Sequence, residues 1–241
     1  MNYEVFIEGE NITLCIPNDY AINNDGWAQW FNDIQSMQAT EHAVFPNYVL
    51  SQRERLNNLA ADSSKIVLLI CDQQAEHAYG VLSLQNIDMR SRIAEVAITM
   101  SKKARTELNR FASLEAMGRI SQHGIDELGL RKVIAGQAAH LLVKWNKYME
   151  LIGFETEGVL RASFVRGHTI ADSFSIALHR EKLETLQAKR SGSIWPGNEE
   201  ISRLLKIQPA LSHAEKVSQT LQELASQHFS YLYDLSEEED V

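Results

Sequence analysis

Apolar residues along this chain fall into short strand-like runs separated by stretches with helical spacing. Asn11 to Ile16 is a short β-branched and Leu run that stops at Pro17-Asn18-Asp19, a strand ending in a turn. In Gly26 to Ile34, apolar residues at 27, 30, 31 and 34 share one face of a helix. Phe45-Pro46-Asn47 breaks the chain. Ser51 to Ala60 then reads as a helix, with Ser51 at the N-cap and Glu54 three residues on, the spacing of a capping box. Ile66 to Cys71 is a continuous apolar run and hence a buried strand. After the polar turn DQQAEH, Tyr79 to Leu84 completes a hairpin with it, and Ile93 to Met100 follows as a mid-sheet strand.

The longest periodic segment is Asn109 to Leu128, where Phe111, Leu114, Met117, Ile120 and Ile125 recur at helical spacing before Gly129. Lys132 to Ala135 is a short strand. Leu141, Leu142, Trp145, Met149 and Ile152 mark another amphipathic helix, over 137–152 and closed by Gly153. Two strands come next, Phe154 to Phe164 and Thr169 to Leu178, joined by a turn at Arg166-Gly167-His168. This order predicts an α/β (α+β) fold: a mixed, mostly antiparallel sheet with helices on both faces. From about residue 180 the pattern changes to polar, helix-prone stretches: Lys182–Arg190, Glu199–Lys206 and Ala214–Phe229, with a turn-rich link over 191–198. The division expected is a domain over 1–180 and a helical extension over 181–241. The extension's apolar faces could dock on its own domain, on a second copy as a homodimer, or over a substrate pocket.

Composition narrows the function classes. The chain has 241 residues, 44% of them hydrophobic, enough for one well-buried domain and an appendage. Its net charge of −9, without a basic stripe, argues against holding nucleic acid through phosphates. Cys15 and Cys71 both sit in apolar runs with no metal-type spacing, so they read as buried, inert thiols. The start shows no basic region followed by an apolar run, and no apolar run nears the roughly 20 residues that span a bilayer. A cytoplasmic protein without a membrane partner and without a metal is expected.

Several stretches fall together at the spacings of one family. IEGENITLCIPNDY looks like an opening strand and WAQWFND like a first helix. YGVLSLQNIDMRSRIAEVAITM resembles a central hairpin with an Ala94-Glu95 pair. Gly153-Phe154, Glu157-Gly158, Arg161, Gly167 and Asp172 resemble a closing hairpin. In order, from about Phe6 to Leu178, they resemble the GNAT N-acetyltransferases, most closely the branch acting on protein N-termini, amino sugars and some antibiotics. The resemblance implies acetyl-CoA as co-substrate, and a primary amine attacking its thioester.

It also implies sites for particular residues. A pyrophosphate cradle is expected where the long helix begins, at Leu108 to Ser113. There the family's Arg/Gln-x-x-Gly-x-Gly/Ala is replaced: Phe111 takes the place of the first glycine, and Ser113 alone keeps the small size of the second. Lys102, Lys103, Arg105 and Arg110 gather around this start, and cations with free N–H groups can still hold phosphate. A solvated turn and a lost CoA site are the competing reading. The cofactor-binding set implied is therefore Ile98, Thr99 and Met100 (thioester and pantetheine, through backbone), Arg105, Arg110, Phe111, Ala112 and Ser113, and Asn146. Glu95 is the candidate base and Asp172 the candidate partner of a cationic amine. Each has an ordinary structural alternative, as an exposed strand residue and a turn acceptor. Trp27 and Trp30 are candidate substrate contacts, or core. His140 and His168 could titrate near neutrality. The Tyr often used as general acid aligns with Met149, and Tyr148 stands about 100° away on the helix. The function expected is N-acyl transfer to a small-molecule amine or a protein N-terminus; the alternative is a silent scaffold of the same fold that binds a ligand or a partner protein.

Overall fold

The computed structural model describes residues 2–33, 45–138 and 143–228. Eight strands form one sheet in the order β1-β2-β3-β4-β5-β6-β8-β7. They are β1 Val5–Glu8, β2 Thr13–Cys15, β3 Ile66–Cys71, β4 Ala78–Asp88, β5 Ile93–Met100, β6 Lys132–Ala138, β7 Glu155–Arg166 and β8 Thr169–His179. All neighbours are antiparallel except β5 and β6. That parallel pair is short: Ile93 faces Lys132, Ala94 faces Val133 and Glu95 faces Ile134. Beyond Glu95 the strands part. Val96 to Met100 stay paired to β4, while Ala135 to Ala138 stay paired to β8.

Period-two alternation gives the sheet two apolar faces. Leu14, Leu68, Ile70, Leu82, Leu84, Ala94 and Val96 point to a main core, built with the long helix α4 (Ala112–Asp126) through Leu114, Met117, Ile120 and Ile125. Cys15, Leu69, Cys71 and Val81 point the other way, onto Trp27 and Trp30 of the short helix α1 (Trp27–Trp30). Helix α2 (Val49–Leu59) lies beside α1. Both cysteines are free and buried, as the sequence predicts. A single turn, α3 (Ala104–Glu107), precedes α4, and α5 (Val143–Leu151) follows β6. Gly153 closes α5 at φ +90°, where an added Cβ would lie 2.6 Å from Leu186 Cδ1, so only glycine fits.

Element boundaries shift where tertiary contacts override local signals. Helix α2 begins at Val49 with Tyr48 at its N-cap, so Ser51 lies inside it and forms no capping box. Strand β1 extends the sheet beyond the predicted opening strand, because Val5–Glu8 pairs with β2 despite its exposed side chains. Strand β4 runs four residues past Leu84, to Asp88, around a bulge in its pairing with β5. Of the predicted residues, Ile34, His140, Leu141, Leu142 and all of 229–241, with the acidic run Glu237 to Asp240, lie outside the described residues.

The final quarter adds α6 (Arg180–Lys189), α7 (Asn198–Ile207) and α8 (His213–His228). Leu183, Ile194, Trp195, Ile201 and Ala214 are buried in the same cluster as α4 and the sheet. Trp195 packs on Phe111 with ring centroids 6.4 Å apart and donates its indole N–H to Glu10 at 2.7 Å. Asn198 and Asn11 exchange side-chain hydrogen bonds of 2.7 and 3.0 Å. Arg190 reaches the carbonyls of Ile194 and Leu151. Underneath lies Glu115, fully buried on α4. It accepts the backbone N–H groups of Glu10 (2.6 Å) and Asn11 (2.9 Å), the Asn11 amide (2.8 Å) and Arg119 Nε (2.7 Å).

A buried carboxylate that satisfies four donors is expensive to remove, because the donors are left without partners. Glu115→Ala is expected to lower unfolding free energy by about 3–5 kcal/mol, read from urea denaturation. A loss below about 1 kcal/mol would show that the hub contributes no more than an exposed ion pair.

Candidate functional site

Two cavities flank α1. The first, about 690 Å³, is lined by Asp25, Trp30, Asp33, His77, Tyr79, Ser101 to Lys103 and Glu107 among others. Its charged groups largely satisfy one another. Asp25 accepts from the Tyr3 hydroxyl at 2.6 Å and the Ala78 N–H at 2.9 Å, and Lys102 pairs with Asp33 at 2.6 Å. Tyr79 donates to Glu107 at 2.9 Å. Burial, aided by that carboxylate, pushes the Tyr79 phenol up to about 12, so it stays protonated near neutrality. Trp30 donates its indole N–H to the Asp25 carbonyl at 3.0 Å.

The second cavity, about 700 Å³, lies between α1, α2 and the sheet. Trp27, Phe31, Leu56 and Leu59 form its apolar wall, and Val67, Val81, Ser83 and Gln85 its floor. It reaches Ala97, Ile98 and Thr99, the stretch of β5 that has left β6. Asn47 exchanges hydrogen bonds with Asn32, while two buried donors are left open. The Trp27 indole N–H and the Gln52 side-chain N–H₂ are buried and have no partner among the described residues. Arg55, exposed on α2 at the rim, has no ion pair among the described residues, and Lys65 pairs with Asp62 at 2.7 Å.

The sequence-predicted residues distribute unevenly over this frame. Trp27, Ile98 and Thr99 line the second cavity, whereas Trp30 lines the first. Met100 packs against the main core. Glu95 stands opposite Gln85 on β4, one same-face position from Ala97, and accepts a 3.1 Å hydrogen bond from Asn86 Nδ2. Asp172 is on β8. It accepts the Ala162 N–H at 2.9 Å and pairs with Arg161 Nε at 3.1 Å, clamping a bulge in β7 where Ala162 takes φ +51°. Neither cavity is lined by Asp172. His168 lies in the exposed two-residue turn of the β7–β8 hairpin.

Around the α4 start, the cations spread apart. Arg110 lies 4.4 Å over the Phe111 ring and donates to Ser202 on α7 at 3.1 Å; Arg105 is exposed. Phe111 and Ala112 are buried. Asn109 takes two of the first N–H groups, Phe111 through its side chain and Ala112 through its carbonyl, both at 2.9 Å. The N–H groups of Ser113 and Leu114 have no acceptor among the described residues. Asn146, buried on α5 at 3% exposure, leaves both amide atoms unpartnered among the described residues. A buried primary amide with neither atom bonded is rare and fits a site meant for a polar ligand. Met149, at the position of the family's Tyr, is fully buried, and Tyr148 stacks on Trp145 instead.

Sequence reasoning missed Gln52 and Arg55. Gln52 was readable: with Leu56 and Leu59 it forms an i, i+4, i+7 stripe, a polar residue on the apolar face of an otherwise polar helix. Arg55 offered no signal beyond its neighbourhood. Among the described residues no group of three or more His, Cys, Asp or Glu side chains is placed to hold a metal ion, and no helix is long and apolar enough to cross a membrane.

No family model matches the sequence, and no curated protein matches it. Solved structures do. Spermidine N-acetyltransferase from Vibrio cholerae, in complex with CoA and spermine, is 18% identical at a TM-score of 0.64, covering 72% of this chain and 98% of that one. The ribosomal-protein acetyltransferase RimL, bound to coenzyme A, is 12% identical at 0.63, covering 74% and 99%. The microcin self-immunity acetyltransferase MccE, bound to acetyl-CoA and AMP, is 17% identical at 0.59, covering 71% and 93%. At such identities the likeness is one of architecture, and the architecture is the one that the residues from Phe6 to Leu178 imply: this chain has the GNAT acetyltransferase fold.

Proposed function

We propose that the protein is an acyl-CoA-dependent N-acyltransferase, in the first instance an N-acetyltransferase, acting on a primary amine. The observation that carries this reading is the meeting of two spaces at Ala97–Thr99. There β5 has parted from β6, which leaves strand edge for an extended thioester-bearing arm, and the cavity under α1 and α2 arrives from the other side. Backbone N–H groups of a strand edge can hold a thioester carbonyl and stabilise the oxyanion formed when an amine attacks it. The known acetyltransferases of this fold named above, with CoA or acetyl-CoA in their structures, support the same co-substrate here.

Residue roles follow from position. Glu95 is the candidate base: two same-face residues on a strand are about 7 Å apart, so it would take the amine proton through an intervening water. Asn146 offers a free buried amide to the acyl-CoA arm, and the Ser113 and Leu114 N–H groups, with Arg105 and Arg110, are what remains for the pyrophosphate. Asp172, with both oxygens engaged by the β7 bulge, serves better as a structural clamp than as an acceptor-binding group. A concave cavity of about 700 Å³ favours a compact acceptor over a long peptide.

A second reading, a scaffold that no longer binds CoA, is favoured by one feature. The start of α4 is roofed by Phe111 under Trp195, and Asn109 occupies its first N–H groups. Thermal denaturation decides between the two. Acetyl-CoA at 100 times its dissociation constant should stabilise the fold by roughly 2.7 kcal/mol; no shift with acetyl-CoA or with longer acyl-CoAs sinks the enzyme reading. Given binding, Asn146→Ala should weaken acetyl-CoA by about tenfold, the loss of one ligand hydrogen bond worth about 1.4 kcal/mol. Glu95→Gln should lower kcat by about 10²-fold or more and leave acetyl-CoA binding intact, measured by thiol release and calorimetry. Unchanged turnover removes Glu95 from the mechanism.

A further inference from the structure

The second cavity is lined by neutral groups that both donate and accept, Asn47, Ser83, Gln85 and Thr99, but its charge and its unsatisfied buried groups are one-sided. Trp27 and Gln52, only 4% and 2% exposed, each bring an N–H donor that no described group satisfies. Arg55 and Lys65 add two cations, and no carboxylate is among the residues lining the cavity. Lys65 is already neutralised by Asp62, which leaves Arg55 as the cation without an ion pair among the described residues. The first cavity is mixed: three carboxylates, Asp25, Asp33 and Glu107, each already bonded to a neighbour, stand beside His77, Lys102 and Lys103.

Buried donors without acceptors are costly, and a ligand that supplies acceptors recovers that cost. A guanidinium has five N–H groups in a planar fork that matches a carboxylate or a phosphate. A polyamine supplies only donors and positive charge. It would leave Trp27 and Gln52 unsatisfied and repel Arg55.

We infer that this cavity takes an amine that also carries an oxyanion, a carboxylate or a phosphate, with the anion held toward Arg55 and the amine toward Ala97–Thr99. The inference rests on the acyl-transfer reading for the amine end only; the anion preference stands on the cavity's own residues. Arg55, on α2, is a specificity-determining residue, and Trp27 and Gln52 orient the anion's oxygens or adjoining hydroxyls. The transferred group, the attacking nitrogen and the proton balance are those of ordinary amide formation from a thioester.

The test uses matched amines that differ in the anion: glucosamine 6-phosphate against glucosamine, and alanine against alaninamide, with spermidine as the cationic control. Binding to the full chain is measured by calorimetry without acetyl-CoA, and again with it. The anionic member of at least one pair should bind ten times more tightly or better, and the pair that responds identifies phosphate or carboxylate. In Arg55→Gln that advantage should fall at least tenfold, while stabilisation by acetyl-CoA stays at the wild-type value. A preference that persists without acetyl-CoA binding supports the anion site and overturns only the acyl-transfer reading. Equal or tighter binding of the amines without the anion or of spermidine, no binding by any of the five, or an unchanged preference in Arg55→Gln overturns the inference.

Discussion

Three residue pairs hold this sheet together at its middle. The parallel ladder from Ile93–Lys132 to Glu95–Ile134 is the whole strand contact between a five-stranded half, β1 to β5, and a three-stranded half, β6 to β8. Everything else compensates for the shortness of that seam. Helix α4 packs across it, burying Ala94 and Val96 on one side and Val133 on the other in a single core. The two halves can diverge past Glu95 because α4 carries the cohesion that more ladder bonds would have supplied. An opening in a sheet is thus made without an opening in the core.

The charge chemistry is divided between places where it is complete and places where it is not. Glu115, Arg190, Asp25 and Asp172 each bond to two or more neighbours and act as fixings. Trp27, Gln52 and Asn146 are buried polar groups left open. Trp27 and Gln52 border the cavity and Asn146 lies on the helix after the parted strand, while Gln208 Oε1, at the end of α7, is also open.

Legibility in the sequence followed the physics of each feature. Period-two and helical spacings identified nearly every long element, since apolar burial decides those regardless of detail. The hairpin motif from Gly153 to Asp172 was readable for the same reason it says little about chemistry: its residues are structural. Gly153 fits only without a Cβ, Glu157 bridges Lys132 and His179, and Arg161 meets Asp172. What stayed hidden depends on which side chains lack partners. Nothing in the string of letters distinguishes Trp27, whose N–H is left open, from Trp30, whose N–H is bonded to Asp25. Ser51 misled because a capping signal was read where Val49 and Tyr48 start the helix.

The docking of Trp195 and Asn198 onto Glu10 and Asn11 joins sequence positions more than 180 apart. Loop-closure entropy makes such contacts late ones in folding. On a ribosome, Phe111 and the Glu10–Asn11 turn would therefore wait for their cover until the last quarter of the chain had emerged. The extension thus acts in time as well as in space, as the segment whose arrival ends the nascent chain's exposure.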